Sequence, residues 1–438
     1  MDQISPSHSK TPAWVFMIFL LILFVFRLVC GLTSEFWFED ELQIYLIGLK
    51  FYSSGHWPFF GPDIVYTASQ VPGALQGLLT GIPLFLWAIP ESPAIMVNIL
   101  TFGALAFLGW YIGKLLPAIP RWFVWLWVLT CPWTVYYSTT VLNPSYALVG
   151  GIFFFVAFME SIPSLAGRLI NRNMSMFLMG FSLFWTIQFH MSWTLMIPYL
   201  GYSFYISVRT FRSPGKDFLF FCSGALVPLA TLLPTYFQYG FIAGTGDAGA
   251  NIQVNWQNVQ QVITLISRYL SFASYELPRF LGPNTPARLE LVKQYWPLAP
   301  FFVFLLVTGL LQPVVLFAYL FVPSGIPTPV RKLTGITMAI IWISFFFSVK
   351  GPSSHTFYIT FPLAMIYSMY AWKELFRYGW FRKTMAAMII SGFLVSGAIM
   401  HEHYFSRSLY KNRALVQKAI SEKNYHLLGE RRSWDRNN

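Results

Sequence analysis

Charge is scarce in this sequence. Asp, Glu, Lys and Arg make up 11% of the 438 residues, whereas soluble domains carry about 25%. Cysteine is rarer still: Cys30, Cys131 and Cys222 form an odd set, lie inside apolar runs and lack the spacing of a metal site. The low charge argues against an ordinary soluble domain, and we expect the three cysteines to be small core residues.

Several catalytic motifs are absent too. The sequence contains no P-loop, no Rossmann glycine fingerprint, no CxxC and no HExxH. Energy or electrons for any reaction would therefore have to come from the substrate itself. There is also no internal repeat and no room for a separate soluble domain.

Hydrophobic residues dominate instead, at 56% of the chain, and 19% of all residues are aromatic. Apolar runs of roughly 17 to 25 residues recur from Ala13 to Met400, long enough to cross a bilayer as helices. Only helices or closed barrels satisfy their backbone groups in lipid, and these runs are too long and too uniformly apolar for barrel strands. The sequence therefore predicts an all-α polytopic integral membrane protein. We expect the first run, 13–32, to be a retained span, since Lys10 is its only basic flank and no small-residue cleavage site follows.

The apolar runs define eleven predicted spans. They are 13–32, 94–113, 121–138, 145–162, 174–190, 192–209, 217–236, 297–321, 333–349, 356–372 and 383–400. A further apolar stretch, 70–89, holds prolines and glycines that weaken a regular helix. We interpret 70–89 as re-entrant or interfacial.

Basic residues decide this topology. Thirteen of them fall on one side only if 70–89 does not cross, and cytoplasmic loops collect Lys and Arg. They are Lys114, Arg121, Arg168, Arg172, Arg209, Arg212, Lys216, Arg331, Lys332, Lys373, Arg377, Arg382 and Lys383. The basic residues behind the net charge of +12 are thus dispersed between the spans. This distribution argues against nucleic-acid binding.

This topology divides the chain into a transmembrane domain, 1–400, and a polar basic tail, 401–438. Within the domain, 33–93 and 237–296 form sizeable outer regions. Eleven spans also put the tail outside, although its eight basic residues and four acids would favour the inside; long tails obey the charge rule poorly. We expect the tail to be partly helical and to lie on the surface.

The stretch "EFWFEDELQIY" places three consecutive carboxylates, Glu39, Asp40 and Glu41, among aromatic residues of the first outer region. One interpretation is a solvated acidic loop. The other is a site, because a carboxylate beside apolar area is partly desolvated and can be tuned as a general base. On a helix the three would point about 100° apart, so they would take unequal roles.

Further polar groups fall on the same predicted side. They include Arg27, Lys50, His190, Arg268, Lys350, His355 and Tyr358. Arg27 lies near the end of its span, where we expect it to snorkel. A cation in the turn "KGPSSHTFY" would either bind a lipid phosphate or mark the interface, and His190 with Gln188 would form a polar corner.

Three function classes fit these observations. Ion-coupled transporters need ionisable groups near mid-membrane, and the predicted spans hold few, so an interfacial enzyme is favoured over a flippase or transporter of lipid-linked glycans. A non-catalytic assembly subunit is the third class.

The order of these features resembles the membrane glycosyltransferases of the GT-C fold, most of all the protein O-mannosyltransferase and aminoarabinose transferase superfamily (glycosyltransferase families 39 and 83). "FEDELQIY", with Asp40, Glu41 and Tyr45, is similar to the aromatic–Asp–Glu motif of that family's first outer loop. "SSGHWPFFGP" supplies Gly55 and Pro58 of a following element, and "YTASQVPGALQGLL" is similar to a Pro-containing interfacial helix. "VLNPSY", "QFHMSW" and "HTFYITFPLAMI" match later elements in position.

The resemblance implies a GT-C-type fold with about eleven transmembrane helices and interfacial helices in the first outer loop. It implies a sugar donor on a polyprenyl phosphate and inverting transfer to a hydroxyl of a glycan, lipid or protein. By the same resemblance Asp40 would accept the acceptor proton and Glu41 would orient Asp40 or the acceptor. Substrate-binding residues would be Glu39, Tyr45, Lys50, His190, Arg268, Lys350, His355 and Tyr358, the cations stabilising the departing phosphate.

Two further expectations follow from the resemblance. A bacterial inner membrane, with the active site facing the periplasm, is the expected location. Glu39 departs from the family's pattern and would make an Mg²⁺ or Mn²⁺ ion compatible with the site. The family includes members for which no metal is expected, and we assign no metal ligand.

Overall fold

Helices run back and forth between the two ends of the molecule. The computed structural model describes residues 12–33, 38–64, 69–240, 253–277, 280–282, 284–322, 325–349 and 351–429. In chain order its helices are α1 (Ala13–Thr33), α2 (Phe38–Ser54), α3 (Leu75–Leu86), α4 (Ser92–Leu115), α5 (Arg121–Thr130), α6 (Pro132–Tyr137), α7 (Asn143–Ser161), α8 (Arg172–Ile187), α9 (Ile197–Ile206), α10 (Pro214–Tyr239), α11 (Trp256–Val259), α12 (Val262–Ser271), α13 (Thr285–Gln294), α14 (Ala299–Ala318), α15 (Thr328–Phe346), α16 (Ser354–Phe357), α17 (Phe361–Lys373), α18 (Gly379–Glu402) and α19 (Arg413–Ser421).

Short elements complete this framework. Short 3₁₀ helices occupy Met191–Met196, Trp296–Leu298, Tyr358–Thr360, Leu375–Arg377, Leu409–Asn412 and Tyr425–Leu428, and a π-helical turn occupies Ser207–Phe211. The strands β1 (Phe60–Asp63) and β2 (Gln70–Pro72) pair antiparallel, with Phe60 opposite Pro72 and Asp63 opposite Gln70. This hairpin lies between α2 and α3.

Seven helices among the described residues are long and apolar enough to cross a membrane by length and composition: α1, α4, α7, α10, α14, α15 and α18. Four further passes run between the same two ends in shorter or interrupted helices, namely α5 with α6, α8, α9 with its flanking turns, and α16 with α17. Seven and four give the eleven passes expected from the sequence. The prediction of an all-α polytopic protein is confirmed.

Helix α7 lies at the centre of this bundle. Nearly its whole span is buried, and it packs against α4, α8 and α17. By contrast, α1 is apolar all round but mostly exposed at its surface, as expected for a helix that faces lipid. Two glycines allow α8 and α10 to pack closely against each other. A Cβ at Gly180 of α8 would overlap the Phe221 carbonyl of α10, and a Cβ at Gly224 of α10 would overlap the Phe177 carbonyl of α8.

One end of the bundle carries α2, and we call it the α2 end. At the opposite end the Tyr111 hydroxyl donates to Glu160 Oε1 at 2.8 Å, and Arg172 Nε donates to Asp217 Oδ2 at 2.7 Å. The thirteen basic residues that decided the predicted topology belong to the helix ends and connections at this opposite end. The charge pattern and the packing therefore agree.

Helix α3 does not cross the bundle. The main-chain N–H of Ala74 donates to Thr231 O at 3.1 Å, near the end of α10. After α3 the Pro90 carbonyl accepts from the Tyr45 hydroxyl of α2 at 2.9 Å. Both ends of α3 thus lie at the α2 end, and the interpretation of 70–89 as a non-crossing segment is confirmed.

A second segment enters the bundle and returns. It begins at the α2 end, where the Asn255 N–H donates to Phe346 O at 2.9 Å at the end of α15. Helix α12 then leads inward, and the Tyr275 N–H donates to Gln312 Oε1 at 3.0 Å in the second half of α14. The chain returns to the α2 end by Tyr295, whose hydroxyl shares a hydrogen bond with His401 in the last turn of α18. From the sequence we interpreted 237–296 as an outer region, and nothing in its pattern predicted that part of it enters the bundle.

Arg27 does not reach the membrane surface, so the expectation that it snorkels is wrong. The side chain is completely buried. Its guanidinium donates to the carbonyls of Leu129 and Thr134 at 2.8 and 3.1 Å, and to Ser138 Oγ at 2.9 Å. These carbonyls flank the break between α5 and α6, where Pro132 removes a backbone donor. Arg27 therefore supplies a donor to the Leu129 carbonyl at the end of α5 and a second donor to the Thr134 carbonyl, which also accepts from the Ser138 hydroxyl.

Candidate active site

The first turn of α2 separates the three carboxylates. Glu39 and Asp40 are exposed, whereas Glu41 is completely buried. This is the result expected when adjacent residues on a helix point about 100° apart. Acidic residues in a first turn also interact favourably with the helix dipole. Two carboxylates are therefore presented at the surface and one anchors the turn.

Glu41 is contacted by two segments that are distant in the chain, at Val141 and at Leu409. Its Oε1 accepts from the Val141 N–H at 3.4 Å, and its Oε2 is buried with no hydrogen bond from the described part of the chain. Burial raises the pKa of Glu41 to about 7, and the N–H groups of Val141 and Leu409 act in the opposite direction. A carboxyl in this environment can change its charge near neutral pH.

Tyrosines surround this carboxyl. Tyr45, Tyr146 and Tyr410 are all buried. Burial raises the pKa of Tyr45 and of Tyr410, and the charge of Glu41 raises both further. The Tyr45 hydroxyl donates to the Pro90 carbonyl, so Tyr45 fixes α2 to the α3–α4 connection. The predicted role of Tyr45 in substrate binding would require this buried side chain to become accessible.

The polar corner expected around Gln188 is built into the fold. Gln188 Oε1 accepts from the Thr231 hydroxyl at 2.9 Å and from the Leu75 N–H at 3.3 Å, and Nε2 donates to Pro228 O at 2.7 Å. Gly73 packs directly against the same amide in a left-handed conformation, with φ at +107°. Gln188 therefore joins the start of α3 to α8 and α10.

Two predicted residues from distant parts of the chain meet here. The rings of His190 and His355 lie 6.1 Å apart, edge to face, and both side chains are partly buried. His190 Nδ1 accepts from the Ser192 N–H at 3.1 Å, and His355 Nδ1 shares a hydrogen bond with Ser353 Oγ at 2.9 Å. Each ring is thus oriented by its own turn, and the two form one polar surface at the α2 end.

The remaining predicted residues are held by other partners. Arg268 forms an ion pair with Glu276 at 2.8 Å on the segment that enters the bundle. Tyr358 is buried, and its hydroxyl donates to Trp133 O at 2.9 Å. Lys50 lies 5.7 Å from the ring centroid of Tyr425.

Lys350 falls outside the described residues. The structure does not test the substrate-binding roles that the sequence assigned to Lys50, Arg268, Lys350 and Tyr358. These roles stay predictions.

The described residues do not form a complete metal site. They contain no group of three or more His, Cys, Asp or Glu side chains placed to hold one ion. Glu39 and Asp40 are both exposed, but Glu41 faces away from them. Because Mg²⁺ needs near-ideal octahedral coordination, we derive no catalytic step through a metal.

Sequence reasoning missed the residues that cover Glu41. Leu409 and Tyr410 come from the C-terminal tail, which we expected to lie on the surface. The tail does offer one signal: Val416, Ala419 and Ile420 recur at helical spacing and are buried. Such a short amphipathic pattern indicates that the tail packs, but not which element it contacts.

Comparisons with known proteins give few matches. No protein-family model matches the chain, and no curated protein matches it. Among solved structures, the chain is similar to ArnT from Cupriavidus metallidurans in the apo state. The TM-score is 0.47 and the sequence identity is 15%, over 95% of this chain and 75% of that chain.

Proposed function

We propose that this protein is an integral membrane glycosyltransferase of the GT-C type, which moves a sugar from a polyprenyl-phosphate donor to a hydroxyl acceptor. The acceptor would be a glycan, a lipid or a protein, and the reaction would occur on the outer face of a bacterial inner membrane with inversion. The observation that carries the proposal is the division of the acidic triplet, with Asp40 exposed on a turn that the buried Glu41 anchors.

The chemistry assigned to Asp40 is proton acceptance. As the acceptor oxygen attacks the anomeric carbon, the carboxylate takes the hydroxyl proton and the bond from the sugar to the lipid phosphate breaks. A base held in place removes the entropic cost of orienting it during the reaction. Glu41 acts through the position of the turn, which refines the supporting role expected for it.

The polar groups at the α2 end suit the other half of the reaction. His190 and His355 form a surface that can donate hydrogen bonds to an anion, and we assign to it the departing phosphate or the sugar hydroxyls. Negative charge grows on the phosphate in the transition state, so donors oriented beforehand lower the barrier.

The distribution of charge favours this proposal over a transporter. The Arg172–Asp217 pair lies at the opposite end of the bundle, and backbone carbonyls and a hydroxyl surround Arg27. Within the described residues, Arg268 and Glu276 are paired with each other partway through the bundle. This arrangement offers a transported substrate no continuous series of uncompensated ionisable groups across the membrane.

The test is a transfer assay with the purified full-length protein in nanodiscs. A panel of polyprenyl-phosphate sugars would be offered, with cell-envelope extract as the source of acceptors. We expect labelled sugar to move to an extract component, and we expect the Asp40→Asn variant to lose at least about a hundredfold in rate while it folds normally, because Asp40 is exposed.

Glu290→Gln changes an exposed carboxylate on α13 outside the site and serves as the matched control. Full activity in Asp40→Asn would overturn the assignment of the base. The absence of transfer from every donor, together with unchanged envelope glycans in cells that lack the gene, would overturn the proposed function.

A further inference from the structure

The C-terminal tail packs along α2 instead of lying loosely on the surface. Ser408 Oγ donates to the Leu32 carbonyl at the end of α1, at 2.8 Å. Leu409 and Tyr410 follow and are buried, and Gln417 Nε2 then donates to the Ala88 carbonyl at 3.1 Å. The tail thus connects the segment before α2 to the segment after α3.

An ion pair fixes the middle of the tail. Arg413 donates through Nη2 to Glu91 Oε2 at 3.2 Å, and its Nε contacts the other carboxylate oxygen. The two-point geometry orients both side chains, as forked Arg–carboxylate pairs do. Glu91 directly precedes α4 and follows Pro90, whose carbonyl accepts from Tyr45 of α2, so the pair lies next to the anchor of α2.

The far end of the tail reaches the second half of α2. Lys423 of the tail lies 5.5 Å from the ring centroid of Tyr52, and Lys50 lies 5.7 Å from that of Tyr425. These are reciprocal contacts, with one cation and one ring contributed by each side. The tail therefore contacts α2 along most of its length.

Glu41 is the point where the tail meets the candidate site. The Leu409 N–H donates a hydrogen bond to its carboxyl, and the charge of Glu41 interacts electrostatically with the Tyr410 hydroxyl. Glu41 Oε2 and the Tyr410 hydroxyl are both buried without a hydrogen bond inside the described ranges. Buried polar groups are costly when they lack partners, so the stability of this region depends on how the tail packs against Glu41. Glu41 and Asp40 share the first turn of α2, and a small displacement of the tail therefore also changes the position of Asp40.

We propose that the C-terminal tail is a positioning element of the active site, in which Arg413 and Tyr410 hold the first turn of α2 so that Asp40 meets the acceptor hydroxyl. This inference rests on the proposed function. It extends that function by making the last part of the chain necessary for turnover, although the tail supplies no catalytic residue.

A charge swap tests the proposal in the full-length protein. In Arg413→Glu the tail and Glu91 repel each other, and we expect kcat to fall about tenfold with KM for the donor within about twofold, since misplacing a catalytic group slows the step without removing binding groups. The double variant Glu91→Arg/Arg413→Glu restores the attraction and should recover most of kcat. Lys418→Glu, which breaks a pair between α19 and Glu422 directly after it, is the matched control and should leave kcat unchanged.

Hydrogen exchange gives a second measurement that does not depend on activity. In Arg413→Glu the amides of 38–45 should exchange severalfold faster than in the native protein, and the double variant should restore their protection. If both kcat and exchange are unaffected by Arg413→Glu, or if the double variant rescues neither, the positioning role is wrong.

The two measurements also separate this proposal from the proposed function. If the native protein transfers no sugar but the exchange results follow the charge swap, the tail does hold α2 and the glycosyltransferase assignment has failed. If transfer occurs and Tyr410→Phe shifts its pH profile while Arg413→Glu lowers kcat, both proposals are supported.

Discussion

Arg27 and Ser138 are joined by a buried hydrogen bond of 2.9 Å, from the guanidinium of the first helix to the hydroxyl that follows the break in the third pass. Ser138 also contributes its carbonyl, which accepts from the Thr101 hydroxyl of α4 at 2.7 Å. The break between α5 and α6 is thus held from two neighbouring helices. An apolar bundle contains few such points, and each can be tested.

Replacing Arg27 should destabilise the protein. Arg27→Met keeps an apolar side chain of similar length but leaves the Leu129 carbonyl without its donor, at a cost of about 1–3 kcal/mol for the unsatisfied group. The Thr134 carbonyl loses one donor and keeps the Ser138 hydroxyl. We expect a clear fall in the thermal unfolding midpoint in detergent. Arg27→Lys should be intermediate, because an ammonium cannot reproduce the planar fork.

The control for this prediction is Val25→Leu on the exposed face of the same helix, where Val25 is 48% exposed. An unfolding midpoint of Arg27→Met that equals that of the control would contradict the structural role.

Gly73 should not tolerate alanine. Its φ of +107° is strained for a residue with a side chain, and a Cβ would overlap the Gln188 amide. Strain of this kind costs about 1–3 kcal/mol, so Gly73→Ala should lower the unfolding midpoint and loosen the start of α3. Gly103→Ala is the matched control, because Gly103 is helical and nothing lies within 4 Å of its added Cβ. Equal midpoints for the two variants would refute the packing argument.

The stability of the α2 end should depend on pH through Glu41. Its pKa rises from 4.5 to about 7 on folding, so the folded state favours the protonated form. The resulting stabilisation is complete below pH 4.5, decreases as the pH rises and is lost above about 7; the total is about 3 kcal/mol at most. The charge of Glu41 also acts on the buried hydroxyls of Tyr45 and Tyr410, and burial raises the pKa of both tyrosines, which moves them away from this window.

Protection of the tail amides against hydrogen exchange, corrected for the intrinsic effect of pH, should therefore fall as the pH rises from 4.5 to about 7. Glu41→Gln should remove this dependence while it keeps the tail bound. An identical pH response in Glu41→Gln would assign the effect to another group.

The two histidines should act together in substrate binding. His190→Ala and His355→Ala should each raise KM for the donor severalfold, and the double variant should cost less than the product of the two because the rings share one surface. The measurement is steady-state transfer at several donor concentrations. Strict multiplicativity would show that the histidines act independently.

Parts of this fold are predictable because each depends on local composition. The seven long apolar helices follow from run length, and the non-crossing α3 follows from its prolines and glycines together with the charge rule. The inward path of α12 was not predictable in this way. Its ten residues include Arg268 and are too short for a span, and the partner that neutralises this charge, Glu276, was not recognised.

The candidate site was predictable to a similar extent. Helical geometry required Glu39, Asp40 and Glu41 to diverge, but it could not say which of them is buried. That depends on Val141 and on Leu409 near the other end of the chain. Likewise the meeting of His190 with His355 depends on how distant turns pack, which no local pattern encodes.

Helix α3 and the α12 segment each enter and leave at the α2 end. Neither therefore adds a crossing of the membrane or changes the side on which later connections lie. Adding either one as a full crossing would reverse the assigned side of every later connection. Reporter fusions within 70–89 or 253–296 should therefore give the same side at both ends of each segment, and a glycosylation or protease tag after residue 429 should report that side as well. Helix α12 packs against α14 and α15, which both follow it in the chain, so its final packing requires that these two helices have already been synthesised.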